Sequence, residues 1–279
     1  MEVRAICEKI GFPQEATQYL ETVMPRIDCA AFDRIFEQFL NCEPAVYFAS
    51  LGDEAVKMQL PTVTVNLLFL LYKFPELHRR YLDAGISEEI FWDTAEDLRY
   101  KLQECRKRYG LWGNAALKWY RKFFDVNLVK LGRLQYHVIP WAQEDCGSIR
   151  KGDTVFNLHI PSAGPLLLEE VEASFQTAKA FFRARGLLKT EEFPLVCHSW
   201  LIYPPHSELF PAGSNMRKFY ELFTIVATNE SGGDFERIFY QEDTGEYGKL
   251  PTDTQLQRNF AAYLQKGGKM GQAWGIIMR

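Results

Sequence analysis

The chain has 279 residues, of which 47% are hydrophobic and 24% charged, and its formal net charge is −4 at pH 7. That length suffices for one large domain or two smaller ones with a substantial core, and the composition is that of a soluble globular protein. The acidic balance excludes the strongly basic surface that nucleic acids and anionic membranes require, so we expect neither as a partner.

The six cysteines are scattered, with no C-x-x-C pair and no histidine at zinc-ligand spacing. The most apolar window, residues 63–72, is too short to span a bilayer, and the first residues lack the apolar core of a signal peptide. We therefore predict free thiols, no metal and a cytoplasmic location.

The first part of the chain is predicted to be helical, because apolar residues recur at helical spacing in segments that Gly and Pro separate. Residues 62–74 are apolar on every side, which indicates a helix buried among its neighbours. Ser87 is a predicted N-cap that opens a helix running to about Tyr109 and closed by Gly110. Further helices are predicted over residues 1–10, 15–23, 30–41 and 114–124.

Near residue 125 the pattern changes from helical spacing to runs of β-branched and aromatic residues. We predict an α+β fold, with a helical domain over residues 1–125 followed over residues 126–279 by a mixed, mostly antiparallel sheet flanked by helices. The predicted strands are residues 130–138, 154–160, 195–203, 223–228 and 273–278. The predicted helices of this part are residues 169–185, 215–221 and 254–265.

Residues 152–182 are predicted as a strand, a turn and a helix at the centre of the second part. Alternation along the strand places Leu158 and Ile160 on one face and His159 on the other. Pro161 ends the strand because it has no N–H to donate. The turn that follows contains Ser162, Ala163, Gly164 and Pro165.

This order of elements suits a phosphate or pyrophosphate group. Strand, small-residue turn and helix bring several backbone N–H groups to the positive end of a helix dipole. Many α/β proteins contain such a unit without using it, so a purely structural turn stays open as the alternative.

A second pattern, Cys197-His198-Ser199, lies in the predicted strand 195–203. Alternation prevents Cys197 and His198 from facing each other, so they do not form a nucleophile and base. If the two strands are neighbours, His159 is a better partner for Cys197 or for Ser199. The alternative is that Cys197 is a small core residue and His198 a hydrogen-bonded polar residue.

Arg133 and Tyr220 are two further candidates. Arg133 is predicted on a strand with Gln135 on the same face, where it could bind a carboxylate or phosphate bidentately or form an ion pair. Tyr220 lies on a helix that Ser214 caps, where it could serve as a general acid or as a packing residue.

Several of these segments together resemble a bacterial family of acyltransferases that have a helical N-terminal domain and a GNAT-like C-terminal domain. The resemblance covers nearly the whole chain. The segments that carry it are GD at Gly152–Asp153, HIP at His159–Pro161, LGRLQ at Leu131–Gln135, the helix from Ser174 to Phe182, CHSWL at Cys197–Leu201 and SNM at Ser214–Met216.

The resemblance implies a fold and a set of roles. The strands beginning near Leu131 and Thr154 would form the central pair of the sheet, and the strand over residues 195–203 would splay from its neighbour to receive the pantetheine arm. The roles implied are the backbone N–H groups of Leu158 and Ile160 on the pantetheine or thioester, the turn Ser162-Ala163-Gly164 on the pyrophosphate, His159 as base and Tyr220 as acid.

We therefore expect an acyltransferase that uses acyl-CoA or acetyl-CoA as co-substrate and acylates a small-molecule amine by direct attack. The turn departs from the usual phosphate loop of such enzymes, because it has a single glycine and Pro165 removes a donor. One alternative is therefore a non-catalytic ligand-binding or regulatory protein with the same fold. Another is a thiol-dependent enzyme using Cys197 with His159.

Overall fold

The computed structural model describes residues 2–188, 190–230 and 234–279. The chain divides into two compact units, Met1–Lys130 and Leu131–Arg279. The helices of the first unit are α1 (Val3–Ile10), α2 (Gln14–Val23), α3 (Cys29–Asn41), α4 (Pro44–Met58), α5 (Thr62–Tyr72), α6 (Phe74–Asp83), α7 (Glu88–Ala95), α8 (Asp97–Tyr109) and α9 (Arg121–Phe124).

Helix α5 forms the centre of the first unit. Every residue from Thr64 to Leu71 is buried, as the all-round apolar composition predicted. Aromatic rings from the neighbouring helices meet edge to face around Phe69, with ring centroids 5.9 Å away for Phe32 and 5.7 Å for Phe39. Among the described residues no single helix is long and apolar enough to cross a membrane. By length and composition alone, the pair α4–α5, bent by 105°, passes that test.

The helix predicted from Ser87 to Tyr109 is two helices, and the prediction of one continuous helix was wrong. Its start is as expected, since the Ser87 hydroxyl accepts from the N–H of Ile90 at 3.4 Å. The break lies at Glu96, where the chain meets the strand that ends the unit. Thr94 accepts from the N–H of Lys130 at 2.8 Å, and the Glu96 carboxylate binds the Lys130 ammonium at 2.8 Å. The break is thus stabilised by contacts distant in sequence.

Gly113 packs directly on the backbone at the start of α5. The N–H of the next residue, Asn114, donates to the carbonyl of Val63 at 2.7 Å. A Cβ at Gly113 would lie 2.6 Å from the Val63 carbonyl carbon, so the backbone would have to move. We expect Gly113→Ala to lower the free energy of unfolding by about 1–3 kcal/mol. Gly52→Ala is the matched control, because a Cβ there meets nothing within 4 Å and the site is inside a helix.

The free energy of unfolding of both variants is measured by urea unfolding, with hydrogen exchange of the α5 peptide as the probe. The control should be neutral or stabilising by up to about 1 kcal/mol, since alanine favours a helix over glycine. Equal effects of the two substitutions would contradict the close packing at Gly113.

Strand β1 (Leu128–Leu131) lies at the boundary of the two units. The second unit contains the strands β2 (Leu134–Pro140), β3 (Thr154–His159), β4 (Pro194–Ser199), β5 (Thr224–Asn229) and β6 (Gln272–Met278), which form a sheet in the order β2-β3-β4-β6-β5. Strands β3 and β4 are parallel, whereas β2–β3, β4–β6 and β5–β6 are antiparallel. The predicted fold class is confirmed: a helical first part precedes a mixed, mostly antiparallel sheet with helices. The helices of the second unit are α10 (Leu168–Ala184), α11 (Pro204–Ser207), α12 (Asn215–Tyr220), α13 (Phe235–Phe239) and α14 (Gln255–Gln265).

Two predicted strands end differently in the structure. The strand predicted over residues 130–138 is interrupted by a turn at Gly132, which has φ +69°, so Arg133 lies in a turn and not within a strand. The strand predicted over residues 195–203 ends at Ser199, whose hydroxyl accepts from the N–H of Leu201 at 3.2 Å and caps a short 3₁₀ turn. Trp200 thereby enters a hydrophobic cluster with Phe210 and Phe260.

Helix α10 packs on the sheet through Phe182 and Ser174. The Phe182 ring lies 4.4 Å from that of Phe156 between centroids, and Phe182 is 2% exposed. The buried Ser174 hydroxyl joins the helix to the strands, since it is 2.8 Å from the Tyr136 hydroxyl and also donates to the carbonyl of Leu131. These contacts fix the helix against β2 and β3 and so fix where its N-terminus lies.

Candidate functional site

The parallel strands β3 and β4 stop pairing near their carboxyl ends. Their pairing ends at Leu158 opposite Cys197. Each strand stays paired on its other side for longer, β3 to β2 at His159 and β4 to β6 at Ser199. The β3–β4 ladder thus ends before the ladder on the other side of each strand, and we call the place where β3 and β4 are no longer paired the gap. Ligands of open α/β sheets bind at such carboxyl ends.

The turn after β3 and the N-terminus of α10 lie at the same end of the strands. No side chain caps α10, whose N-cap is Leu167, and the first bond back to that residue comes from the N–H of Val171. The N–H groups of Leu168, Glu169 and Glu170 thus have no partner within the helix and add to the positive end of its dipole. In the preceding turn Ser162 and Gly164 are exposed and Ala163 is half-buried.

Gly164 is the residue that lets this turn reverse, because its φ is +91°, which a residue with a Cβ adopts only with strain. A Cβ at this position would meet nothing within 4 Å, so the surface of the turn is open there. The predicted pyrophosphate segment is therefore exposed, while the flanking Pro161 and Leu166 are buried.

The Arg133 side chain contacts this turn through the backbone carbonyls of the turn. Its side chain donates to three backbone carbonyls: Nη1 to Pro161 at 3.1 Å, Nη2 to Gly164 at 2.9 Å and Nε to Pro165 at 3.1 Å. Arg133 is 9% exposed. The guanidinium, for which a bound phosphate or carboxylate or an ion pair was predicted, thus donates to the backbone of the turn, and direct binding of a ligand by it stays a prediction.

His159 lies on the opposite face of the sheet from Leu158, as alternation predicted, and is half-buried. It pairs in register with Gln135, while His137 pairs with Asn157. The two imidazoles stack with centroids 5.8 Å apart and planes 30° from parallel. Two carboxamides and two imidazoles thus form one polar patch beside the gap.

Sequence reasoning missed His137 and Asn157. The signal was present, because His137 follows Gln135 at the strand period of two. What the sequence lacks is the β2–β3 register that sets His137 beside His159. The buried amide oxygen of Asn157 accepts no hydrogen bond from any described residue.

The proposed pairing of His159 with Cys197 or Ser199 does not occur. The two strands are neighbours, as it required, but Cys197 is in register with Leu158 and shares its face, and Ser199 follows on that same face. Burial raises the pKa of the Cys197 thiol to about 12, so it is protonated at neutral pH. Cys197 is a core residue, and Ser199 is engaged as the cap of the turn that follows.

Because the thiolate is the reactive form, we expect iodoacetamide to modify the exposed Cys29 and Cys42 in the native protein and to leave Cys197 unmodified. Peptide mapping by mass spectrometry after a timed reaction measures this. Modification of Cys197 as fast as that of Cys42 would contradict its burial, and unfolding in guanidinium should remove the difference.

His198 and Tyr220 complete the predicted set. The His198 residue is exposed, and its ring stacks on Trp274 with centroids 4.6 Å apart and planes 12° from parallel. Partial desolvation of the ring lowers the pKa of His198, which the charge of Asp234 partly opposes. Tyr220 is half-buried at the end of α12, a helix that packs against α10, and the Arg217 guanidinium lies 5.6 Å from its ring centroid.

A cavity of about 310 Å³ lies elsewhere, at the amino-terminal ends of β3 and β4, where Thr154 and Pro194 line it. It is therefore at the far end of both strands from the gap, and we assign it no part of the site. In residues 2–188, 190–230 and 234–279, no group of three or more His, Cys, Asp or Glu side chains could hold a metal ion.

Comparison with known families matches both parts of the chain. The family described as "GNAT-like C-terminal domain" matches residues 128–277, and the family described as "N-acyltransferase N-terminal domain" matches residues 1–126. No curated protein sequence matches the chain.

Solved structures of acyltransferases share the fold. One in complex with decanoyl-CoA and teicoplanin has a TM-score of 0.78 and 20% identity, over 99% of this chain and 87% of that one. A W163A mutant of an acyltransferase in complex with octanoyl-CoA has a TM-score of 0.78 and 19% identity, with the same two coverages of 99% and 87%. A third, in complex with CoA and 10C-teicoplanin, has a TM-score of 0.68 and 18% identity over 99% of both chains.

Proposed function

Because the chain belongs to the family that joins an N-acyltransferase N-terminal domain to a GNAT-like C-terminal domain, we propose that it transfers an acyl group from an acyl-CoA to an amine of a small molecule. The observation that carries the proposal is the gap between β3 and β4, with the turn and the uncapped N-terminus of α10 at the same end. The solved structures of this fold that hold acyl-CoA, and those that hold teicoplanin, support the donor and a small-molecule acceptor.

The thioester arm lies in the gap between the separated strands. Leu158 lies in β3, and Ile160 is the first residue after that strand. The N–H of Ile160 is the proposed donor to the pantetheine and to the thioester carbonyl oxygen, on which negative charge develops during attack. Leu158 is in register with Tyr136 on one side and with Cys197 on the other, so its own N–H is directed into the sheet.

His159 is the proposed base. The amine nitrogen of the acceptor attacks the thioester carbonyl carbon, forming a C–N bond, and His159 takes a proton from that nitrogen. Breaking of the C–S bond releases the CoA thiolate, and Tyr220 is the proposed acid that protonates it. The products are an amide and CoA, with no covalent intermediate on the protein.

The pyrophosphate of CoA lies on the turn Ser162-Ala163-Gly164 and the N-terminus of α10 in this proposal. Glu169 and Glu170 lie in the first helical turn, where their negative charges interact favourably with the helix dipole but repel a phosphate. The backbone N–H groups of the turn must therefore supply much of the attraction.

Thermal unfolding with and without acetyl-, octanoyl- and decanoyl-CoA tests the binding part. A ligand at about 100 times its dissociation constant stabilises the native state by roughly 2.7 kcal/mol, which raises Tm by several degrees. We expect Gly164→Glu to abolish the shift, because its carboxylate repels the pyrophosphate, and Gly164→Gln to retain most of it. The two variants share the backbone strain at φ +91° and differ in charge.

The absence of a thermal shift with every acyl-CoA would overturn the proposal. An equal loss of the thermal shift in Gly164→Glu and Gly164→Gln would contradict binding of the pyrophosphate at this turn. Turnover is measured separately, as release of free CoA thiol on addition of amines, with the amide product identified by mass spectrometry. A thermal shift with no thiol release from any amine would favour the alternative of a binding protein, which the single-glycine turn also suits.

A further inference from the structure

We propose that Arg133 is a positioning residue for pyrophosphate binding, which orients the backbone of the turn after β3 so that its N–H groups face the phosphates. The inference rests on the proposed function and goes beyond it, because it assigns the phosphate affinity of the turn to a side chain that does not itself touch the ligand.

The turn has few donors for an anion. Pro161 and Pro165 have no N–H, and the N–H of Ala163 bonds to the Pro161 carbonyl at 2.7 Å. A loop with several glycines can turn its N–H groups towards a ligand by its own conformational freedom. This turn has only Gly164, so some other contact must orient its peptide groups.

Arg133 provides that contact. Its three bonds, at 2.9–3.1 Å, draw the carbonyls of Pro161, Gly164 and Pro165 towards one guanidinium. The described peptide bonds are all trans. In a trans peptide the carbonyl and the following N–H point in opposite directions, so the N–H groups of Ser162 and Leu166 point away from Arg133.

The position of Arg133 follows from the fold. The β2–β3 ladder ends with Gln135 in register with His159. Arg133 lies in the turn just before β2 and Pro161 just after β3, so the end of the ladder brings the Arg133 side chain to the Pro161 carbonyl. Gly132 allows the chain to turn there because its φ is +69°, which a residue with a Cβ adopts only with strain. The fixed positive charge beneath the turn also favours an anion on its other side.

The experiment compares two acyl donors that differ in the phosphates. Decanoyl-CoA contains the pyrophosphate, whereas decanoyl-pantetheine has the same thioester arm without any phosphate. We expect Arg133→Met to raise KM for decanoyl-CoA by about 10- to 100-fold, with kcat within about threefold of wild type. For decanoyl-pantetheine, kcat/KM should stay within about threefold of wild type.

Arg133→Lys keeps the charge but cannot donate to three carbonyls at once, so its KM for decanoyl-CoA should lie closer to that of Arg133→Met than to wild type. Arg150→Met is the matched control, since it removes an exposed arginine of the same unit that bonds to the Gly147 carbonyl at 2.7 Å. It should leave both donors unaffected. Thermal shifts with CoA and with pantetheine give the same comparison without turnover.

Equal loss with both donors in Arg133→Met would show that Arg133 only maintains the fold and would overturn the inference, as would no change with either. Full activity of Arg133→Lys would assign the effect to charge alone and overturn the positioning role. A wild-type protein that neither binds CoA nor releases thiol from acyl-CoA would overturn the proposed function itself, and the inference with it.

Discussion

Replacement of His159 by Gln is expected to lower kcat for amine acylation by about 10²- to 10⁴-fold, the usual contribution of a positioned general base. Gln keeps a polar side chain of similar size beside Gln135 and His137 but accepts no proton from the amine. The rise in Tm with acyl-CoA should stay as in wild type, because the proposed contacts of the phosphates and pantetheine are with backbone N–H groups and not with the imidazole. Thiol release at saturating donor and acceptor gives kcat.

His198→Gln is the matched control. His198 lies at the same end of the adjacent strand, but it is exposed and its ring stacks on Trp274 at 4.6 Å between centroids. We expect kcat to fall by less than about tenfold in this variant. A larger fall in kcat for His198→Gln than for His159→Gln would assign the role of base to His198. A fall in kcat of less than tenfold for His159→Gln would show that His159 is not the base.

Elements defined by local chemistry were predictable from the sequence. The buried helix α5 follows from eleven nearly uniformly apolar residues, and the start of α7 from the Ser87 cap. Helix α4 was missed altogether. Its apolar positions include the exposed Val46 and Val56, which blur the helical stripe on which such a prediction depends.

Elements defined by contacts between distant residues were not predictable. The break at Glu96 depends on Lys130, and the end of β4 at Ser199 depends on Trp200 joining the cluster around Phe260. The helical spacing of apolar residues continues past Glu96, and the strand composition continues past Ser199, so the sequence pattern continues where the structure does not.

The site shows the same division. The strand, the turn and His159 were assigned from one stretch of sequence and from the family resemblance. Whether Cys197 faces His159 depends on the β3–β4 register, and a shift of one residue would reverse the answer. The contact of Arg133 with three carbonyls likewise depends on a turn at Gly132 that interrupts an apparently continuous strand.

Phe182→Ala is expected to lower the free energy of unfolding of the second unit by about 3–5 kcal/mol, the usual cost of removing a buried phenyl ring. The ring is 2% exposed and contacts those of Phe156 and Phe193, with centroids 4.4 and 6.2 Å away. Such a loss corresponds to a fall in Tm of about 10 °C for a unit of this size. Hydrogen exchange of the β3 peptide, Thr154–His159, measures the effect on this unit alone.

Phe181→Ala makes the same chemical change one residue earlier on α10, where the ring is half-buried and lies 5.3 Å from the Arg185 guanidinium. We expect Phe181→Ala, the control, to lower the free energy of unfolding of the second unit by about 1 kcal/mol. Because Phe182 fixes the helix whose N-terminus lies at the turn, Phe182→Ala should also weaken the thermal shift with acyl-CoA, while Phe181→Ala should not. Equal destabilisation by the two variants would mean that α10 does not pack through Phe182. Contacts of other residues would then have to hold the N-terminus of α10 in place.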